Sequence, residues 1–292
     1  MKDKRYYIYL LLIAAVVIFQ LMTSKEAPDM QPHDGRELIV DFIDVGQGDA
    51  ILITTPDGNT MLIDAGDNSQ EEHMVSFLHK KGIKKIDFVI GTHPHADHIG
   101  GLDAVIRNFD IGEIYMPKIA HTTKTFEDVL IAIKERGHTI KTAKAGVTLD
   151  LDKTMNVQML GPVSNSYTDI NDYSAVVKLK YGKMTFLFTG DAEKTSEYEM
   201  IEKGYPLDSV VLKVGHHGSD TSTTDEFLEA VNPKYAVISS QKDNKYGHPH
   251  KDIIKKLEDN NIIYFDTQRH GTTTAITNGQ EIEWITEVKQ SN

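Results

Sequence analysis

Residues 91–101 read Gly-Thr-His-Pro-His-Ala-Asp-His-Ile-Gly-Gly, which sets three imidazoles and a carboxylate within six positions. They follow an apolar run, Phe88-Val89-Ile90, that reads as a buried strand. Ligating groups at the end of a buried strand must give up water, a cost repaid only where they bind something. His93, His95, Asp97 and His98 offer borderline nitrogen donors and a hard carboxylate from one loop, the chemistry of a metal site. Alternate residues of a strand-end turn point to one side, and the adjacent Asp97 and His98 can face a second position, so one loop can feed two ions. Gly100 and Gly101 then let the backbone turn tightly beneath. The competing reading, a surface histidine cluster, leaves the four-group pattern unexplained.

The second half of the chain echoes the first. The stretch "AILITTPDGNTMLIDAG" predicts a hairpin turning at Asp57-Gly58 and ending at Asp64, followed by a helix, the strand "IDFVIG" and then His93. Likewise "AVVKLKYGKMTFLFTGDA" predicts a hairpin ending at Asp191, then a helix, the strand "DSVVLKVG" and the pair His216-His217. Two such halves packed sheet against sheet, with helices outside, give a layered α/β sandwich whose strand-end groups meet at one edge. Helices are expected over residues 124–137, 224–233 and 250–261, with Thr223 and Glu226 capping the second. Strands are expected over 234–240 and 262–267, with a closing hairpin around Asn278-Gly279.

Residues 6–22 run without a charge and, as a helix, would span about 26 Å. Lys2, Lys4 and Arg5 precede them, so residues 1–25 are expected to form a membrane-crossing signal anchor, with the remainder outside the cytoplasm. A cleaved signal peptide is the alternative, in which case the protein is secreted. Residues 26–37 read as a linker and 38–292 as a single domain. Cysteine is absent, which excludes disulfides and a thiol-linked lipid. Beyond residue 25 the formal charge is −15, which argues against a broad basic surface for polyanions, although bound cations would reverse that field locally. Lys213, Lys242, Lys245 and Lys251 are candidates for a local basic patch.

The stretches "FIDVGQGDAILI", "LIDAG", "THPHADHIGGLDAV", "NDYSAVVKL", "FLFTGDA", "LKVGHHGSDTS" and "AVISSQKDNKYGHPH" follow one another in order. With them the chain resembles the metallo-β-lactamase superfamily, and in particular the C-terminal hydrolase domain of ComEC-type competence proteins of DNA internalisation. That resemblance implies a four-layer αββα sandwich. It also implies two divalent ions, zinc or manganese: His93 and His95 on the first, Asp97, His98 and His216 on the second, and Asp191 bridging. Asp191 as a helix cap is the plainer reading of Thr-Gly-Asp. Many superfamily members supply a third histidine to the first ion just before the bridging Asp. Here "NDYSAVV" leaves Asn171, Ser174 or water to serve, so that ion would be held more weakly or be a harder one. Asp64 is expected to hold a ligating imidazole from behind, and His217 to orient its neighbour or ligate.

Two cations so placed generate a nucleophilic hydroxide at neutral pH and neutralise charge growing on a phosphoryl or carbonyl oxygen, so hydrolysis is the expected chemistry. Asp97, Asp191 and His248 are the catalytic candidates, with His248 contacting a phosphate or protonating the leaving group. Ser219 and Thr221, leading into a helix, suit a phosphate oxygen. Asp44, Gln47 and Asp49 are candidates for the floor of the site. His270 is a weaker candidate, His250 reads as a solvated neighbour, and His33, His73, His79, His121 and His138 lie in segments that read as exposed. The expected substrate is a phosphodiester, including DNA. A small-substrate hydrolase, such as a phosphocholine esterase or lactonase, and a non-catalytic metal-stabilised binding protein are the alternatives.

Overall fold

The first half of the chain builds one sheet and most of the second half builds another, and the two lie face to face. In the computed structural model, which describes residues 37–288, the first sheet begins with antiparallel β1 (Leu38–Phe42), β2 (Ile51–Thr54) and β3 (Thr60–Ile63). It continues through parallel β4 (Lys85–Ile90), β5 (Asp110–Met116) and β6 (Ile140–Thr142). The second sheet runs antiparallel through β7 (Thr148–Leu149), β8 (Met155–Met159), β9 (Val177–Tyr181) and β10 (Met184–Phe188). Parallel β11 (Val211–Lys213), β12 (Tyr235–Ile238) and β13 (Ile263–Asp266) complete it. The closing hairpin, β14 (Thr273–Thr277) and β15 (Ile282–Thr286), returns to pair with β1 in the first sheet.

The expected repeat is present: hairpin β2–β3, helix Glu71–Lys80 and parallel β4 match hairpin β9–β10, helix Lys194–Glu202 and parallel β11. A strand buried on both faces must be apolar at consecutive positions, because successive side chains point to opposite faces. In β2, Ile51 and Ile53 face the other sheet while Leu52 faces the helices. The inter-sheet layer includes Phe42, Tyr181, Phe186 and Phe188, with the Phe42 and Phe188 rings 6.2 Å apart. Outside the first sheet, Leu62 and Val89 pack on Met74, Leu78, Val105 and Val129; outside the second, Leu187 and Leu212 pack on Met200, Phe227, Ile253 and Leu257. Three apolar layers thus separate four layers of structure, the αββα sandwich. Each fully buried side chain of this size contributes roughly 1.5–3 kcal/mol.

Helix Lys124–Glu135 begins at Thr123, whose hydroxyl accepts from Phe126 N, and it stops two residues earlier than expected, before Gly137 at φ 74°. Helix Asp225–Val231 is capped by Thr224, not by Thr223 and Glu226, because Thr223 is held at φ 54° and cannot take the extended cap geometry. The anchor expected over residues 1–25 lies outside the described residues. No described helix is long and apolar enough to cross a membrane.

Candidate metal centre

Both repeats deliver their polar groups to the same edge of the sandwich. From the first sheet, β4 passes through Gly91 and Thr92 to His93, and a helical turn, Ala96–Ile99, presents Asp97 and His98. From the second, β10 leads to Asp191 and β11 to His216 and His217. Asp191 Oδ2 lies 3.1 Å from His98 Nε2, 3.4 Å from His217 Nε2, 3.8 Å from His216 Nε2 and 3.9 Å from His93 Nε2. His217 Nε2 is also 3.4 Å from Asp97 Oδ2, so Asp97, His98, Asp191 and His217 gather four donor atoms within 4.8 Å of one another. Beside them, His93 Nε2 and His95 Nδ1 approach to 2.9 Å. Two imidazole lone pairs that close repel unless a proton or cation lies between them.

The glycines beneath this loop serve close approach, not a tight turn. A Cβ on Gly100 would sit 2.3 Å from Asn68 N, and one on Gly101 would sit 2.4 Å from Ala65 O, while Gly100 itself is helical at φ −59°. This contact seats the histidine loop on the turn that carries Asp64. There Asp64 accepts from Thr92 N at 2.8 Å and Thr92 Oγ1 at 2.6 Å, and holds His98 Nδ1 at 2.8 Å, which aims His98 Nε2 at Asp191. Asp64, His216 and His217 all occupy left-handed backbone (φ 57°, 47° and 56°), a strain of roughly 1–3 kcal/mol each that clusters at functional sites.

The residues present fit divalent cations. Asp191 Oδ1 is buried without a hydrogen-bond partner, which is costly for a carboxylate unless a ligand takes it. Asp191 does not cap the following helix: Asp172 Oδ1 accepts from Glu193 N at 3.2 Å and Ser196 N at 3.0 Å and does that work.

Electrostatics of the metal-free chain point the same way. Burial opposes charge on His98 and His217, but Asp191, with Asp64 on the first and Asp49 and Asp97 on the second, holds both well above the ordinary histidine value. Burial and the charge of His98 push His93 well below it. Burial also opposes charge on Asp191, and His217 and His98 outweigh it, keeping the carboxylate ionised. A raised folded-state pKa adds stability that is complete below the unfolded value of about 6.5 and is lost as pH climbs through the folded value. Metal, in contrast, needs the same nitrogens bare. Chelator-treated protein is therefore expected to lose melting temperature as pH rises above about 6.5, while metal affinity increases over the same window; thermal scans with and without metal check both.

Several candidate residues are placed otherwise than expected. His217, not His216, sits in the four-donor cluster. His217 Nδ1 meets Ser239 O at 3.0 Å, so its Nε2 faces inward. His216 is instead turned by Glu193, whose Oε1 lies 3.0 Å from His216 Nδ1 and also accepts from Thr221 Oγ1 and Asn171 Nδ2. Asn171 donates through Nδ2 to Glu193, while its Oδ1, the atom able to ligate, is buried without a hydrogen-bond partner. Ser174 Oγ lies 3.4 Å from His93 Nδ1, the nitrogen away from His95, and accepts from Asp191 N. The hydroxyls of Ser219 and Thr221 bond each other at 3.0 Å. The helix-start amides of Thr223 and Thr224 donate to the buried Glu197 carboxylate.

Lys213, a candidate for the basic patch, is fully buried and pairs with Asp49 at 2.8 Å beneath His217. Lys213→Met should leave the buried Asp49 charge opposed only by His217, whose Nδ1 is 3.5 Å away, and cost about 3 kcal/mol, the low end for a broken buried pair, read from denaturant unfolding of the metal-free chain. Asp44 closes its own turn by accepting from Gly46 N, and His270 bonds the Asp266 backbone; neither enters the site. Gln47 does, at 3.5 Å from His248 Nδ1. Sequence reasoning missed Glu193, Thr92 and Tyr246. Glu193 stands two positions after Asp191 and Thr92 directly before His93, spacings that mark them as neighbours of the ligating groups.

The mouth of the site is a pocket of about 340 Å³ lined by Gln47, His95, Asp97, Asp191, His216, His217, Tyr246 and His248. Burial, then the imidazoles of His216 and His217, lower His248 to about 4, so it is presented as a neutral imidazole. A larger groove, about 920 Å³, lies between helices Asp225–Val231 and Lys251–Asp259, far in character from this cluster and lacking its histidines.

Residues 43–242 match the family model of the metallo-β-lactamase superfamily, and the chain belongs to that superfamily. Its class is that of the superfamily's metal-dependent hydrolases, with the His and Asp groups above as candidate ligands. Among curated relatives it is 34% identical to ComE operon protein 3 of Bacillus subtilis and 29% identical to Competence protein ComA of Neisseria gonorrhoeae, over 80% and 84% of this chain. It spans about a third of those relatives, 32% and 33% of their lengths. The fold is shared with Igni18, a metallo hydrolase from Ignicoccus hospitalis, at TM-score 0.51 and 16% identity, covering 81% of this chain and 98% of that one.

Proposed function

We propose that the chain is a phosphodiesterase acting on nucleic-acid strands, with a centre for two divalent ions. The observation that carries this reading is the single Asp191 oxygen ringed by four imidazoles, beside a partnerless buried Oδ1. Bound zinc or manganese would supply an activated water and neutralise charge on the phosphoryl oxygens. His93 and His95 hold the first ion with Asp191; Asp97, His98 and His217 hold the second with it. With no third histidine there, Ser174, Asn171 or water completes the first ion's donors, and that ion binds more weakly. His216, aimed by Glu193, and His248 face the pocket and contact the substrate phosphate.

Similarity to competence proteins supports a nucleic-acid substrate, and the proposal includes a membrane anchor in residues 1–25 with the site outside the cytoplasm, supported by the basic residues ahead of the apolar run. Purified chain assayed with manganese or zinc on bis-nitrophenyl phosphate, single-stranded DNA and nitrophenyl phosphorylcholine tests the reading. Turnover of the first two is expected. Turnover of the phosphorylcholine ester alone would make it a small-substrate esterase, and metal binding without turnover of any would refute hydrolysis.

A further inference from the structure

Tyr246 is the large side chain at the pocket mouth that the centre described above does not use: 53% exposed, it shares the pocket lining with His248. Its ring lies 5.6 Å from the His248 ring and nearly parallel to it, at 21°. An exposed aromatic on a mobile loop would mean little, but this one is braced. Asn244 accepts from Tyr246 N at 3.1 Å and His248 N at 3.0 Å, and donates to Gln241 O at 2.7 Å and His248 O at 2.5 Å. His250 ties the loop to its neighbour: Nδ1 accepts from Asp220 N at 3.0 Å while Nε2 meets Tyr246 O at 3.3 Å. An apolar ring held open to water in a fixed pose beside a hydrolytic centre is preorganised for a flat partner.

We propose that Tyr246 is a stacking platform for the nucleobase next to the scissile phosphate, with Lys245 meeting a flanking phosphate. The inference rests on the phosphodiesterase reading and names the part of the substrate that the metal centre does not. The Lys245 ammonium, at the end of a long flexible side chain, lies over the Tyr246 ring, 4.9 Å from its centre. A base taking the ring face displaces this flexible ammonium toward the base's own phosphate, so ring and cation together match a nucleotide, the pairing by which single strands are held without sequence readout. It does not match a choline headgroup, because a quaternary ammonium on that face would meet Lys245 as a like charge.

The test compares hydrolysis of a short oligothymidylate with that of an abasic strand of equal length. In the native chain the base-bearing strand should have a KM lower by about tenfold, the scale of one base–aromatic stack. Tyr246→Ala should bring the two KM values to within about twofold of each other, and Tyr246→Phe and Tyr246→Trp should restore the difference. A merely structural tyrosine would instead lower kcat on both strands alike. An advantage that persists in Tyr246→Ala overturns the platform, as does a KM effect confined to nitrophenyl phosphorylcholine. A native chain that cleaves no phosphodiester at all overturns the phosphodiesterase reading itself, and the platform falls with it.

Discussion

Asp191→Ala is expected to lower kcat/KM for phosphodiester hydrolysis at least about a thousandfold, roughly 4 kcal/mol of barrier, while the chain stays folded. The size follows from position: one carboxylate oxygen serves the donors of both proposed ions, so its loss disperses the whole centre. Folding should survive for two reasons. Helix Lys194–Glu202 takes its side-chain cap bonds from Asp172, which the substitution leaves alone. The buried His98 and His217, held protonated largely by Asp191, can give up their protons and remain as neutral imidazoles. Activity, metal content and melting temperature measured together separate this from a structural metal, for which melting temperature would fall first.

His217→Ala and His216→Ala should separate sharply. His217 Nε2 lies among Asp97, His98 and Asp191, whereas His216 is turned by Glu193 and remains at the pocket wall. His217→Ala is expected to lose one ion on dialysis and nearly all turnover. His216→Ala should keep native metal content and lose turnover by about 10- to 100-fold, the scale of a substrate contact that strengthens in the transition state. Metal analysis of the dialysed variants decides it: an ion lost by His216→Ala and kept by His217→Ala would return the ligand role to His216.

The adjacency of these two histidines marks where the sequence stops being readable. Periodicity exposed the sheet cores, and the repeated order of hairpin, carboxylate, strand and histidine told which strand ends would meet, because a parallel strand after a helix returns to the same edge. Adjacent residues cannot be ranked that way. His216 and His217 differ only through left-handed backbone angles and through what waits behind each ring, Glu193 for one and Ser239 O for the other. The hydroxyl-rich stretch after them is hard to read for a similar reason. "GSDTSTT" carries the composition of an anion cradle, yet Glu197 takes the amides of Thr223 and Thr224 and Glu193 takes the Thr221 hydroxyl, both carboxylates coming from the helix Lys194–Glu202 region, distant in sequence. Lys213 was legible in principle, since a lysine inside "VVLKVG" must be buried and paired, but its partner Asp49 comes from the other sheet.

The central claim is a hydrolytic centre for two ions shared through Asp191. Its most direct test is turnover of bis-nitrophenyl phosphate as manganese or zinc is titrated into chelator-treated chain. No turnover without metal, and a rise that levels off at about two equivalents, is the predicted result for a site that uses both ions. Turnover that is already complete without metal, or saturating metal with no turnover, would contradict it.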